Sequence, residues 1–198
     1  AISVLEVNPD IVLAYPKSLL IDTKEQVIGT SDSDIDTNGL DLRERLYKVA
    51  QKLTACTSIH GVFRTAILKK LPWEKIIGAD HLILFGAAAY GNIRMMDMVG
   101  IHRRQVYQQS FKERKKRWQE VGTYQQRIDH LSPYAAFVTK HVDFVWQLHG
   151  TPFKQKMIIM RRIRIILCKR FKVTWIDLLR ERFVIFNMFY IILRQVKR

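Results

Sequence analysis

The chain is short of the features that would place it in several common classes. It has two cysteines, Cys56 and Cys168, far apart and without CxxC spacing, which argues against a zinc site or a disulfide framework and fits a reducing compartment. Its longest apolar stretch, Phe183 to Leu193, is interrupted by Asn187 and reaches about half the ~20 residues a membrane span needs. No signal peptide is visible, because charges and Pro9 interrupt the first apolar residues. There is no internal repeat and no low-complexity tract. Acid is scarce in one half only. Residues 1–100 hold 11 Lys/Arg against 12 Asp/Glu, and residues 101–198 hold 22 against 6. That asymmetry points to an anionic partner for the second half: nucleic acid, anionic lipid or a phosphorylated substrate.

What is present is enough for a core. With 198 residues, nearly half of them apolar, the chain can form one sizeable domain or most of one. It opens on Ala1 and is expected to enter directly into strand-like sequence, with no glycine-rich or acidic nucleotide-binding segment ahead. Ile11–Tyr15 and Ser18–Asp22 read as strands broken by Pro16, followed by a turn and a short strand at Val27-Ile28. Residues 30–38 carry Asp32, Asp34 and Asp36, but neither a glycine at the sixth position nor a closing glutamate, so they read as a solvated loop rather than a calcium site. From Asp41 the period changes, and Leu42, Leu46, Val49 and Leu53 share one helical face. Cys56–His60 reads as a short strand, Phe63–Leu71 as a helix stopped by Pro72, and Asp80–Tyr90 as an apolar helix closed by Gly91. Asn92–Val99 and Ile101–Tyr107 read as strands.

Beyond Ser110 the pattern turns helical and basic. Phe111–Glu120 contains the run Arg114-Lys115-Lys116-Arg117-Trp118. Ser132-Pro133 signals a start for an apolar stripe from Tyr134 to Leu148, and further helices are expected near Lys156–Lys169 and Thr174–Arg194. The expected layout is an α/β front, residues 1–110, and a basic all-helical tail, residues 111–198.

Chemistry concentrates in one run: Ile59-His60-Gly61-Val62-Phe63-Arg64, Gly78-Ala79-Asp80-His81-Leu82, Gly91-Asn92-Ile93 and His102-Arg103-Arg104. Asp80 falls where a helix begins, and there free N–H groups and the helix dipole favour the ionised carboxylate. Such a group suits a general base for a hydroxyl; it equally suits a plain helix cap. His60, His81 and His102 flank the same motifs, although an isolated histidine is more often structural. His141, on the apolar stripe, is expected in the core.

The order of these segments resembles a family-2 glycosyltransferase. Asn8-Pro9-Asp10-Ile11-Val12-Leu13-Ala14-Tyr15 with Leu20-Ile21-Asp22 is similar to the middle of such enzymes. His60 to Leu68, Gly78 to Leu84, Ala87 to Ile93 and His102-Arg103-Arg104 continue the match over roughly residues 5–110. The resemblance implies a partial glycosyltransferase A-type fold, its acceptor-side half, and inverting transfer of a sugar from a nucleotide-sugar donor to an acceptor hydroxyl. It implies Asp80 as the general base, Gly61 as the small residue that lets backbone approach the ligands, and Arg64 as a support of site or fold. Arg103 and Arg104 correspond to a basic pair near the donor diphosphate, and His60 and His81 would lie within reach of donor or acceptor.

Two departures qualify the match. The donor-base pocket and the acidic motif that holds a divalent metal, manganese or magnesium, should lie upstream of Ala1. Asp32, Asp34 and Asp36 are on the wrong side of the first strands to replace that motif. A histidine common two residues after the arginine pair is Val106 here, so no metal ligand is assigned. The expectation is therefore a C-terminal part of a cytoplasmic transferase of cell-envelope polysaccharide type, inactive alone. Its acceptor would be a glycan or lipid-linked. The basic tail, rich in Arg161, Arg162 and Arg164 beside Met157–Met160, suits an anionic membrane surface. The alternatives are a small basic nucleic-acid-binding protein, weakened by the scarcity of aromatics interleaved with Lys/Arg, and a membrane-surface interaction protein without catalysis.

Overall fold

The structure, a computed structural model, describes residues 1–31, 35–105, 113, 116, 132 and 134–182. It is an α/β arrangement around a mixed, open, four-stranded sheet. The basic run 114–118 apart from Lys116, Val106, and the stretch Phe183–Leu193 lie outside the described residues, as do Asp32 and Asp34.

The chain begins with a helix, α1 (Ile2–Val7), where strand-like sequence was expected. Leu5 packs on Ile11 and Ala14 of the first strand, and Asn8 Nδ2 donates to Val4 O at 2.8 Å, so a short helix both buries its apolar face and has its end closed. Strand β1 (Ile11–Ile21) is continuous through Pro16. The proline is tolerated because one edge of β1 pairs antiparallel with β3 (Val62–Phe63) only at Leu13 and Ala14, and with β2 (Val27–Thr30) only at Leu19–Ile21. Along the other edge β1 pairs in parallel with β4 (Asn92–Arg104), and the register slips at Pro16/Lys17. A proline at a bulge leaves no ladder donor missing. Strand β4 is likewise unbroken at Gly100, whose missing Cβ would lie 2.7 Å from the Pro16 ring.

Helix α2 (Leu42–Lys52) starts at a capping box: Glu44 N donates to Asp41 Oδ1 and Asp41 N to Glu44 Oε2, both at 2.9 Å. Cys56–His60 is not a strand but leads into a 3₁₀ turn, Thr57–His60, entered from a left-handed Cys56 at φ 52°. Helix α3 is a single turn (Thr65–Leu68). Helix α4 (Ala79–Tyr90) is apolar on nearly every side and is buried from His81 to Ala88, as a helix in the middle of a core must be.

Helix α5 (Ala135–Gln147) begins three residues after Ser132, with Ala135 N donating to Ser132 O at 2.9 Å. The Ser132-Pro133 start signal thus precedes a turn rather than the first helical residue. Helix α6 (Phe153–Phe171) buries Ile159, Ile163 and Leu167 in one seam. Residues 175–182 form the described part of α7, capped by Thr174 and Asp177, whose Oδ2 accepts Thr174 N at 2.8 Å. One apolar cluster takes in β1, α2, α4, α5 and α6 together, so these helices share the core of the sheet. Among the described residues no helix is long and apolar enough to cross a membrane.

Candidate functional site

Asp80 occupies the first turn of α4. The turn is fixed by Gly78, whose φ of 75° is left-handed and whose missing Cβ would lie 2.7 Å from the Phe137 ring. Glycine meets both demands at once, and it docks the start of α4 against α5. The N-cap is Gly78 and not Asp80. Asp80 accepts the His81 N–H at 2.8 Å and the carboxylate remains exposed, so it complements the helix terminus while still facing solvent.

Its neighbour is Cys56, the left-handed residue before the 3₁₀ turn. The Cys56 thiol hydrogen-bonds the Asp80 carboxylate; burial first, and the nearby negative charge second, push its pKa up. It therefore stays protonated at neutral pH and donates. Arg170 and Arg103 both lie close enough to oppose that rise. The structure thus sets an exposed carboxylate against a neutral buried thiol, with two guanidiniums in electrostatic reach of the thiol. Arg170 also donates to Ala50 O at 2.7 Å and to Leu53 O, closing the C-terminal end of α2. Sequence reasoning missed Cys56 as a neighbour of Asp80 and Arg170 as a neighbour of Cys56. Arg170 is one of many bases in α6 and lies 90 residues from Asp80, so no spacing could have revealed it.

The other expected site residues separate. Arg103 lies within electrostatic reach of the Cys56 thiol, whereas Arg104, next along β4, pairs with Glu25 at 2.7 Å; adjacent strand residues face opposite ways. His60 is exposed at the end of the 3₁₀ turn. Gly61 does permit a close backbone approach, but to β1: a Cβ there would meet Ala14 O and Tyr15 Cβ at 2.7 Å. Arg64 serves the fold, donating to Ile11 O at 2.7 Å, Asn8 O at 2.9 Å and Leu5 O.

His81 turns inward. Its Nδ1 lies 2.9 Å from His141 Nε2, and His141 Nδ1 lies 2.7 Å from Phe137 O. This fixes the pattern: His141 donates to the carbonyl through Nδ1, and its Nε2 accepts from His81 Nδ1–H. Burial holds both rings below the usual histidine range, His141 at about 4, and His81 is lowered further by His141 and Arg170. His141 is the satisfied core residue that its place on the apolar stripe suggests.

Among the described residues no group of three or more His, Cys, Asp or Glu could hold a metal ion. One carboxylate beside a protonated thiol is no donor set for magnesium or manganese, which take several oxygen ligands. The described part of the acidic loop is tied to the sheet rather than solvated. Asp36 accepts Met95 N at 3.2 Å and pairs with Arg94 at 3.4 Å, while Ile35 and Thr37 alternate with it into the core. No family model matches this chain, and neither a curated protein nor a solved structure matches it.

Proposed function

We propose that the chain is the acceptor-side part of an inverting glycosyltransferase, with a partial A-type fold, in which Asp80 is the general base. The observation that carries this reading is the setting of Asp80: an ionisable carboxylate exposed to solvent at a helix N-terminus, held by two donors, the His81 N–H and the Cys56 thiol. An acceptor hydroxyl approaching Asp80 would lose its proton to the carboxylate as it attacks the sugar's anomeric carbon, and the nucleotide diphosphate would leave with the bonding electron pair. In this reading Arg103, within electrostatic reach of the Cys56 thiol, would meet the negative charge of the donor diphosphate, a role that Arg104, paired with Glu25, would not share. The neutral Cys56 thiol orients the carboxylate by donating to it. In this reading the donor base and a divalent metal, manganese or magnesium, are held by residues outside this sequence. The acceptor is a glycan or lipid-linked, and the enzyme works at the cytoplasmic face of a membrane.

The membrane part of the reading has its own support. Helix α6 contains seven Lys/Arg and no acid, and its outer face exposes Phe153, Met157, Ile158 and Ile165 among them. This composition suits an anionic lipid surface more than nucleic acid, which would call for stacking aromatics along the basic track. The experiment is transfer from a panel of nucleotide sugars by the full-length enzyme carrying Asp80 or Asp80→Asn. Loss of transfer with donor binding retained supports the base; equal turnover removes it.

A further inference from the structure

A cavity of about 460 Å³ opens between α5, α6 and α7, away from Asp80. Its size falls within the range of roughly 300–1,000 Å³ typical of small-molecule sites. Its wall is mainly aliphatic: Val138 and Val142 from α5, Ile165 from α6, Leu178 and Leu179 from α7. Among the described residues, two charged side chains line it, Arg164 and Arg182, and no acid does. Arg182 pairs with Asp143 at 3.1 Å, whereas Arg164 makes no hydrogen bond or ion pair with a described residue. The rim is apolar and wet: Trp175 is 70% exposed, Ile165 49% and Leu179 45%. The cavity is thus an aliphatic slot holding a guanidinium with no hydrogen bond or ion pair among the described residues, and it opens beside a helix that carries only positive charge.

We propose that this cavity binds a single-chain anionic lipid, the hydrocarbon chain lying between α5 and α7 and the phosphate resting on Arg164, with Arg182 behind it. The chemistry matches on both counts. A chain gains about 0.8 kcal/mol per CH₂ removed from water, and a guanidinium forms paired charge-assisted hydrogen bonds with a phosphate. Trp175 at the mouth has the amphipathic ring favoured at a lipid–water boundary. The charge of α6 would bring the cavity to an anionic surface, and the slot would then hold one lipid molecule specifically. The proposal rests on the membrane-facing part of the reading above and not on sugar transfer, so a binding assay without donor can fail while the Asp80 chemistry stands, and the reverse.

The test is calorimetric titration of the full chain with monoacylglycerol 3-phosphate below its micelle concentration. Glycerol 3-phosphate and uncharged monoacylglycerol serve as half-ligands, and vesicles of neutral or anionic phospholipid run in parallel. The expected result is one-to-one binding of the lipid phosphate, at least tenfold weaker binding of monoacylglycerol and no measurable binding of glycerol 3-phosphate. Arg164→Gln should weaken the lipid phosphate at least fivefold and leave monoacylglycerol unchanged. The paired change Ile165→Gln/Leu179→Gln, at half-exposed positions that folding tolerates, should weaken both, and Met98→Gln on β4 should weaken neither. The proposal is overturned if glycerol 3-phosphate binds as well as its lipid form. It is also overturned if Arg164→Gln changes nothing, or if anionic vesicles bind while the monomeric lipid phosphate does not. That last outcome would leave only adsorption by the charge of α6.

Discussion

One buried pairing ties the behaviour of two side chains to pH. His81 and His141 are held neutral inside the core, with pKa values below that of a free histidine. The unfolded chain therefore binds more protons than the folded one below pH ~6.5, and stability falls with pH from there toward about 4, where His141 begins to charge in the fold. The loss from His141 alone is on the order of 3 kcal/mol by pH 4. Denaturant midpoints measured at pH 7 and pH 4.5 should differ accordingly, and His81→Leu/His141→Leu should flatten the curve; a wild-type midpoint equal at both values would refute the neutral pair. The thiols give a second prediction. Cys56 is buried and its thiol pKa is pushed up, while Cys168 is only partly covered. Iodoacetamide followed by mass spectrometry should label Cys168 first in the native protein and both in denaturant. The sequence marked the helix start at Asp80 and the core placement of His141 because each follows from a local rule, a glycine turn before an apolar run and an apolar stripe. It could not mark Cys56 beside Asp80 or Arg170 near Cys56, since their proximity is a product of packing between elements far apart in the chain.

The elements themselves were readable where periodicity was strong and misread where tertiary contacts replace local signals. The stripe Leu42, Leu46, Val49 and Leu53 is the inner face of α2, and the apolar run after Gly78 is α4. Pro16 and Gly100 were taken as breaks, yet they face each other across a slipped register and let β1 and β4 run on. Cys56–His60 carries β-compatible residues, but the left-handed Cys56 and the 3₁₀ turn bring Gly61 against β1. That approach yields a further prediction. Gly61→Ala places a methyl against backbone and Cβ atoms of β1 that cannot swing away, and overpacking of this kind costs about 1–3 kcal/mol. Gly78→Ala combines a left-handed strain with contact to Phe137 and should be at least as costly. Thermal melts of both variants check this; an unchanged melting temperature in either would contradict the contacts described.

At the scale of the molecule, the helices beyond residue 132 complete the core. Ile159, Ile163 and Leu167 are fully buried, as are Val138 and His141, and they pack in the same cluster as β1 and α4. Composition alone suggested a front and a tail, because charge changes sharply near residue 101; charge reports the surface, whereas the shared cluster is set by apolar positions that composition does not map. A version ending at residue 110 should therefore lose cooperative unfolding and bind a hydrophobic dye, while residues 1–198 unfold in one transition seen alike by circular dichroism and fluorescence. The functional account depends most on Asp80. On the proposed reading, Asp80→Asn keeps the shape and both hydrogen bonds in reach but removes the proposed base, so sugar transfer should fall by about 10²–10⁴-fold with donor affinity unchanged. Wild-type transfer by Asp80→Asn would contradict the central claim.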